Sequence, residues 1–268
     1  MTKILRALQT MACITGLAAL APTAFAQAFD AVRLYGAASG KDGGLVGAVV
    51  IAGKQYQGSA ARRTMALPLL DYQWANGWFA GTANGFGYKF ASPPRIQYGL
   101  RLTADFGRDE SRSAALAGLG DVDAAAEFGG FFNFAVTRDW FLTSSLRYGS
   151  GNDHKGLLVD LGAGTAFAIA PNWRLAWGVA ATLANAESMQ SYFGITAAQA
   201  LASGYGSYVP GAGLRDVRTN LSVTHQFNPR MSITAGLSAS ALMGDAKDSP
   251  LVRKTTAVNG VVAVAYSF

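Results

Sequence analysis

Few side chains in this 268-residue chain have the type and spacing for chemistry. Only two histidines occur, His154 and His225. His154 ends the run Gly149-Ser150-Gly151-Asn152-Asp153-His154, which sets a hydroxyl and a carboxylate beside it. A nucleophilic triad is assembled by geometry across a fold rather than by chain neighbourhood. The run therefore reads as a short turn. His225 falls on the apolar side of an alternating stretch and reads as an interfacial residue. Cys13 is the only cysteine, so neither an internal disulfide nor a cysteine-based metal site is available. Gly211-Ala212-Gly213 lacks the third glycine and the strand–turn–helix context of a dinucleotide loop. What remains is a sparse set of charges: Arg101, Asp105, Glu127, Arg147, Asp160, Arg174, Asp216 and Arg218. These residues point away from an enzyme and from any cofactor. They matter only if some element turns them to a common side.

The composition says what that element is. Only 14% of residues are charged while 50% are hydrophobic, and there are 32 glycines. Soluble domains carry about a quarter charged residues. The net charge of +6 is scattered, with no basic run longer than Arg62-Arg63 or Arg253-Lys254, so nucleic acid is excluded as a partner. Residues 1–26 read as a secretory signal peptide. Lys3 and Arg6 precede the apolar stretch Met11–Leu20, and Ala24-Phe25-Ala26 is a cleavage site. The stretch from 27 onward has no apolar run long enough for a spanning helix. It has instead period-two alternation over about ten residues at a time, closed by turn residues, as in transmembrane β-strands.

The alternation is clear in several places. Phe268, Tyr266, Val264, Val262 and Gly260 share one face, and Ser267, Ala265, Ala263 and Asn259 the other, with Val261 an exception. Trp173, Leu175, Trp177 and Val179 alternate with Arg174, Ala176 and Gly178; Tyr98, Leu100, Leu102 and Phe106 alternate with Gly99, Arg101, Thr103 and Asp105. The polar face carries small residues and isolated charges, which suits a narrow lumen.

Eleven strands are legible: 43–53, 62–74, 77–90, 96–106, 124–136, 140–149, 155–170, 173–185, 214–227, 231–243 and 256–268. Bacterial single-chain barrels have even strand numbers. The expectation is an all-β, transmembrane, antiparallel up-and-down barrel of 12 strands, with 29–38 as the twelfth. Ten is the alternative, and residues 27–268 form one domain. Pro68 lacks a ladder donor and predicts a bulge. Asn76-Gly77 predicts a tight hairpin. Short connections fall at 92–94, 136–139, 170–172 and 227–230; long ones at 107–123, 186–214 and 244–256. Short periplasmic turns and long external loops are the outer-membrane rule. Trp140, Trp173 and Phe227 stand beside short turns, where an aromatic girdle belongs.

In that frame the eight charges face inward, four acids with four bases. A desolvated charge is costly unless paired. The set is either a polar path for small solutes or an ionic plug that stabilises the barrel. The long stretch 186–214 carries Tyr192, Phe193, Tyr205 and Tyr208. It could constrict the lumen, present a surface to ligands or partners, or pack on itself. Asp109, Glu110, Asp121, Asp123, Asp245 and Asp248 could hold divalent cations that bridge lipopolysaccharide, though solvated loop acids are the commoner case.

Several segments resemble the MipA/OmpV family of outer-membrane proteins: Gln190–Gln199, Gly211–Val217, Leu242–Val252, Gly107–Ser111, Gly118–Asp123, and Leu67-Pro68-Leu69 with Asp71–Trp74. The resemblance implies an outer-membrane barrel in contact with lipid and lipopolysaccharide. It also implies a scaffold joining a murein-degrading lytic transglycosylase to a murein synthase. The family has no agreed catalytic residues. The alternative function is a narrow porin for small solutes. Against the scaffold, the short turns offer little area beside the roughly 800 Å² per partner of a standard interface.

Overall fold

The computed structural model describes residues 42–268. Twelve antiparallel strands form one closed barrel in sequence order, with the last paired to the first. They are β1 (Gly43–Lys54), β2 (Arg62–Gln73), β3 (Trp78–Gly81), β4 (Gly85–Lys89), β5 (Ile96–Asp105), β6 (Ala125–Ala135), β7 (Trp140–Ser150), β8 (Gly156–Ala170), β9 (Trp173–Ala184), β10 (Gly213–Gln226), β11 (Met231–Leu242) and β12 (Thr256–Ser267). One end of the barrel carries the short turns, the other the long loops. Period-two patterning decides the faces. Val262 and Val264 of β12 point out, whereas Asn259, Val261 and Ala263 are buried inside. The outside is a belt of large apolar side chains, among them Leu100, Leu102, Phe128, Leu161 and Leu237. Such a belt on a sheet closed from strand to strand is built to sit in lipid.

The twelve strands are not arrived at as the sequence suggests. Segment 29–38 lies outside the described residues, and the barrel closes without it. The stretch 77–90 is two strands rather than one. β3 and β4 are four and five residues long and turn back at Thr82-Ala83-Asn84. Gly85 makes that turn possible. Its φ is +73°, and a Cβ there would sit 2.1 Å from the Leu102 carbonyl oxygen. The signal was present as Asn84-Gly85, a hairpin dipeptide as plain as Asn76-Gly77.

Pro68 makes no bulge, because the β1–β2 register runs without a shift through Ala48↔Pro68. β2 pairs with β3 only at Asp71–Gln73, and Leu70 is closed off by Thr82. Pro68 shares the hydrogen-bonding edge of Leu70, two residues away. Its missing N–H therefore points to a side where β2 has no neighbouring strand, the setting in which proline is tolerated.

Aromatic side chains gather at the short-turn end. Trp140, Trp173 and Phe227 are exposed there as expected. His225 lies between Trp173 and Phe227, with ring centroids 4.4 and 4.9 Å away. A second cluster anchors the short hairpin, where Trp78 stacks on Phe86 and meets Tyr88 edge-on, while Phe90 stacks on Tyr98.

Candidate functional site: a charged lumen under a closed cap

The inward face of β6 through β10 gathers most of the predicted charges into one chain of ion pairs. Arg147 reaches Glu127 at 3.1 Å and Asp160 at 3.0 Å. Arg218 reaches Asp160 at 3.0 Å and Asp216 at 3.2 Å. Thr182, fully buried, accepts from Arg218 at 2.6 Å and donates to Asp160 at 2.7 Å. Arg215, which the alternation did not mark, joins the chain at 2.8 Å from Asp216. A register shift between Leu214 and Asp216 lets two consecutive side chains both turn inward there. Charges this close and this buried hold one another in place.

The other predicted charges have different surroundings. Arg101 donates to the Ser145 hydroxyl at 2.6 Å and lies 5.7 Å from the Phe131 ring. Asp105 stands at the long-loop mouth and accepts from Tyr192 and from the Gly107 and Gly151 amides. Arg174 is exposed at the short-turn end and lies outside the chain of ion pairs. Toward that same end the lumen holds a cavity of about 160 Å³. Lys89, Arg101, Asp160, Arg218, Phe79 and Phe131 are in its lining.

The opposite wall of the lumen is apolar. Val49, Ile51, Met65, Leu69, Val261 and Ala263 form one buried cluster across β12, β1 and β2. Val261 is thus a member of this wall, not an irregularity. Phe106, expected toward lipid, lies just past the end of β5 and packs against the cluster.

The long-loop end is capped. The stretch 186–214 contains two helices, α1 (Ala186–Phe193) and α2 (Ala197–Ser203). Asn185 caps α1 by accepting from Ser188, and Thr196 with Gln199 forms a capping box on α2. A third, short helix, α3 (Gly244–Asp248), lies in the last loop.

The four aromatic candidates all hold this cap. The Tyr192 hydroxyl donates to Asp105 at 2.5 Å, at the barrel mouth. Phe193 is fully buried, and its carbonyl accepts from Ser249 at 2.6 Å. Tyr205 donates to the Ala115 carbonyl and accepts from Arg253. Tyr208 bridges back to Ile195, and its hydroxyl donates to the Asp245 carbonyl. Arg108, missed in the sequence, is buried in the cap and donates to the Tyr192 carbonyl at 2.9 Å. Burial pushes the Tyr192 phenol well above its ordinary value, and the Asp105 charge adds to it.

Three of the loop acids, Glu110, Asp121 and Asp245, are occupied within the cap. Glu110 accepts from the Gly118 and Gly120 amides, Asp121 from the Glu110 amide, and Asp245 from the Gly211 amide. Among the described residues no three acids or histidines cluster as a metal site. His154 sits exposed in a turn with φ +54°.

A family model described as MltA-interacting protein MipA matches residues 46–268. The chain belongs to that family. No curated protein matches the chain. Solved barrels are similar at low identity. One is a COG4313 outer-membrane channel from Pseudomonas putida F1, 10% identical, covering 87% of this chain and 98% of its own, with a TM-score of 0.48. The KdgM porin is also 10% identical, covering 84% and 99%, with a TM-score of 0.44. The outer-membrane channel DcaP of Acinetobacter baumannii is 8% identical, covering 85% and 96%, with a TM-score of 0.42.

Proposed function

We propose that this MipA-family chain is a non-enzymatic outer-membrane scaffold whose partner is a murein-degrading lytic transglycosylase, engaged from the periplasmic side. The observation that carries the reading is the cap. Phe193, Ile195, Leu116 and Leu251 are packed out of solvent across the long-loop end. A barrel closed outward by a hydrophobic core is poorly suited to passive diffusion and well suited to holding position. The family's description supplies the partner.

In this orientation the short turns face the periplasm. The exposed Arg138, Asp139, Asn172 and Arg230 then lie where a periplasmic enzyme docks. Those turns are small, so the contact is of the weak, sub-standard size class. The test is binding of a purified lytic transglycosylase to the detergent-folded barrel. Binding that weakens on Arg138→Ala plus Arg230→Ala is the expected result; no binding, or binding indifferent to these residues, contradicts the scaffold.

A narrow porin is the second reading, favoured by the polar cavity beside Lys89, Arg101 and Arg218. It requires the cap to open. Conductance changed by Arg101→Ala or Glu127→Ala would support it.

A further inference from the structure

Three cations gather at the long-loop rim of the barrel, at the upper edge of the lipid-facing belt. Lys54 ends β1 and stands opposite Arg62, which begins β2. Alternation puts Lys54 on the outward face of Val46 and Val50, and Arg62 on that of Leu70. Lys254, exposed in the loop before β12, lines one narrow cleft with Lys54. The charges that act on Lys54 are those of Arg62 and Lys254, and both are positive. Like charges held this close repel one another, and an anion between them removes the repulsion.

Beside the cations an apolar groove runs down the outside of the wall. Val258, Ala239, Thr219, Val179 and Ala163 stand opposite one another in turn across β12, β11, β10, β9 and β8. That row spans about 19 Å, four sheet spacings. Val258 lies near the long-loop end of β12, whereas Ala163 is at the middle of β8, so the row slants from the rim into the membrane span. Leu237, Leu221 and Trp177, all exposed, wall it on the side of the short turns. The Thr219 hydroxyl donates to the Gly178 carbonyl and accepts from the Trp177 indole, so the one polar side chain in the row is satisfied. The groove holds about 770 Å³, within the range of ligand clefts. Charge and groove meet at Val258, whose carbonyl accepts from the Arg62 guanidinium at 3.1 Å.

We propose that this outer face binds one phosphorylated glycolipid of the outer leaflet, a lipid A, with a phosphate held by Lys54, Arg62 and Lys254 and an acyl chain lying along the groove from Val258 to Ala163. A phosphate monoester carries nearly two negative charges at neutral pH, which suits three cations better than the single charge of a phospholipid diester. The cations supply the attraction. Between apolar surfaces in lipid there is no hydrophobic driving force, so the groove selects by fit. The inference rests on the long loops facing outside, the orientation taken above, and not on the scaffold role.

The test is native mass spectrometry of the detergent-folded barrel, titrated with bis-phosphorylated lipid A and, separately, with phosphatidylglycerol. Only heat-modifiable, folded barrel is scored. One lipid A should be retained per barrel, more tightly than phosphatidylglycerol. Arg62→Gln with Lys254→Gln should weaken it by about tenfold or more. Lys155→Gln with Lys247→Gln, which removes two exposed cations from the same end, should leave it unchanged. Ala239→Trp fills the groove without altering charge and should weaken lipid A several-fold; Ala181→Trp replaces it if that variant does not fold. Binding indifferent to Arg62 and Lys254, equal loss from the two double variants, no effect of filling the groove, or phosphatidylglycerol held as tightly as lipid A overturns the proposal. Transglycosylase binding has no bearing on this readout, so the two proposals fail separately.

Discussion

The two walls of the lumen are made differently. The wall from β6 to β10 is a ladder of guanidinium and carboxylate groups with Thr182 between them. The wall from β12 through β1 to β2 is valine, isoleucine, methionine, leucine and alanine. The charged wall depends on every partner being present, because each removed charge takes a partner from its neighbours. The apolar wall depends on volume, because each truncation leaves a hole. One side of the barrel is therefore specified by pairing and the other by fit.

Asp160 is where the contrast can be broken most sharply. Asp160→Ala takes a carboxylate from Arg147 and Arg218 at once, leaving Arg147 with Glu127 alone and Arg218 with Asp216 alone, and removing one partner of a buried pair costs about 3–5 kcal/mol. Denaturant unfolding of the detergent-folded barrel should show the largest loss of any single change here. Replacing Arg147, Glu127 and Asp160 together by Leu or Met should cost far less than Asp160→Ala alone. On the apolar wall, Ile51→Ala should cost about 2–4 kcal/mol by cavity formation, with no dependence on salt. If the two walls respond alike to salt and truncation, the distinction fails.

Smaller effects are expected in the cap. Tyr192→Phe removes one hydrogen bond to a carboxylate, a loss of about 1.5–3 kcal/mol, seen as faster proteolysis of the 186–214 loop. The pH dependence has a definite sign. The phenol is raised in the folded state, so its contribution is fully present below its ordinary value near 10 and is lost as pH climbs through the raised one. Loop protection should hold through neutral pH and fall only in strong alkali. Arg253→Ala, at an exposed contact with Tyr205, should cost less than about 1 kcal/mol.

Much of this was legible in the residues. Where the two faces of a strand differ in polarity, as in β10, the alternation set the bounds to within a residue and put Asp216 and Arg218 on the inner face. It failed where both faces are apolar. In β1 the outward Val46 and Val50 and the inward Val49 and Ile51 look alike in sequence. The apolar lumen wall was therefore hidden, and Val261 looked like an error. Pro68 and Asn84-Gly85 both mark the short hairpin, but Pro68 was read as a bulge and Asn84-Gly85 was passed over. Arg215 was lost because a bulge shifts the period. Helices α1 and α2 were lost because eight and seven residues give too few turns for a periodic signal.

The central claim is that this barrel is shut at its long-loop end. Single-channel recording of the folded chain in a planar bilayer tests it directly. The account predicts an electrically silent, heat-modifiable barrel. Steady, reproducible conductance steps from the unmodified chain would contradict it and restore the porin.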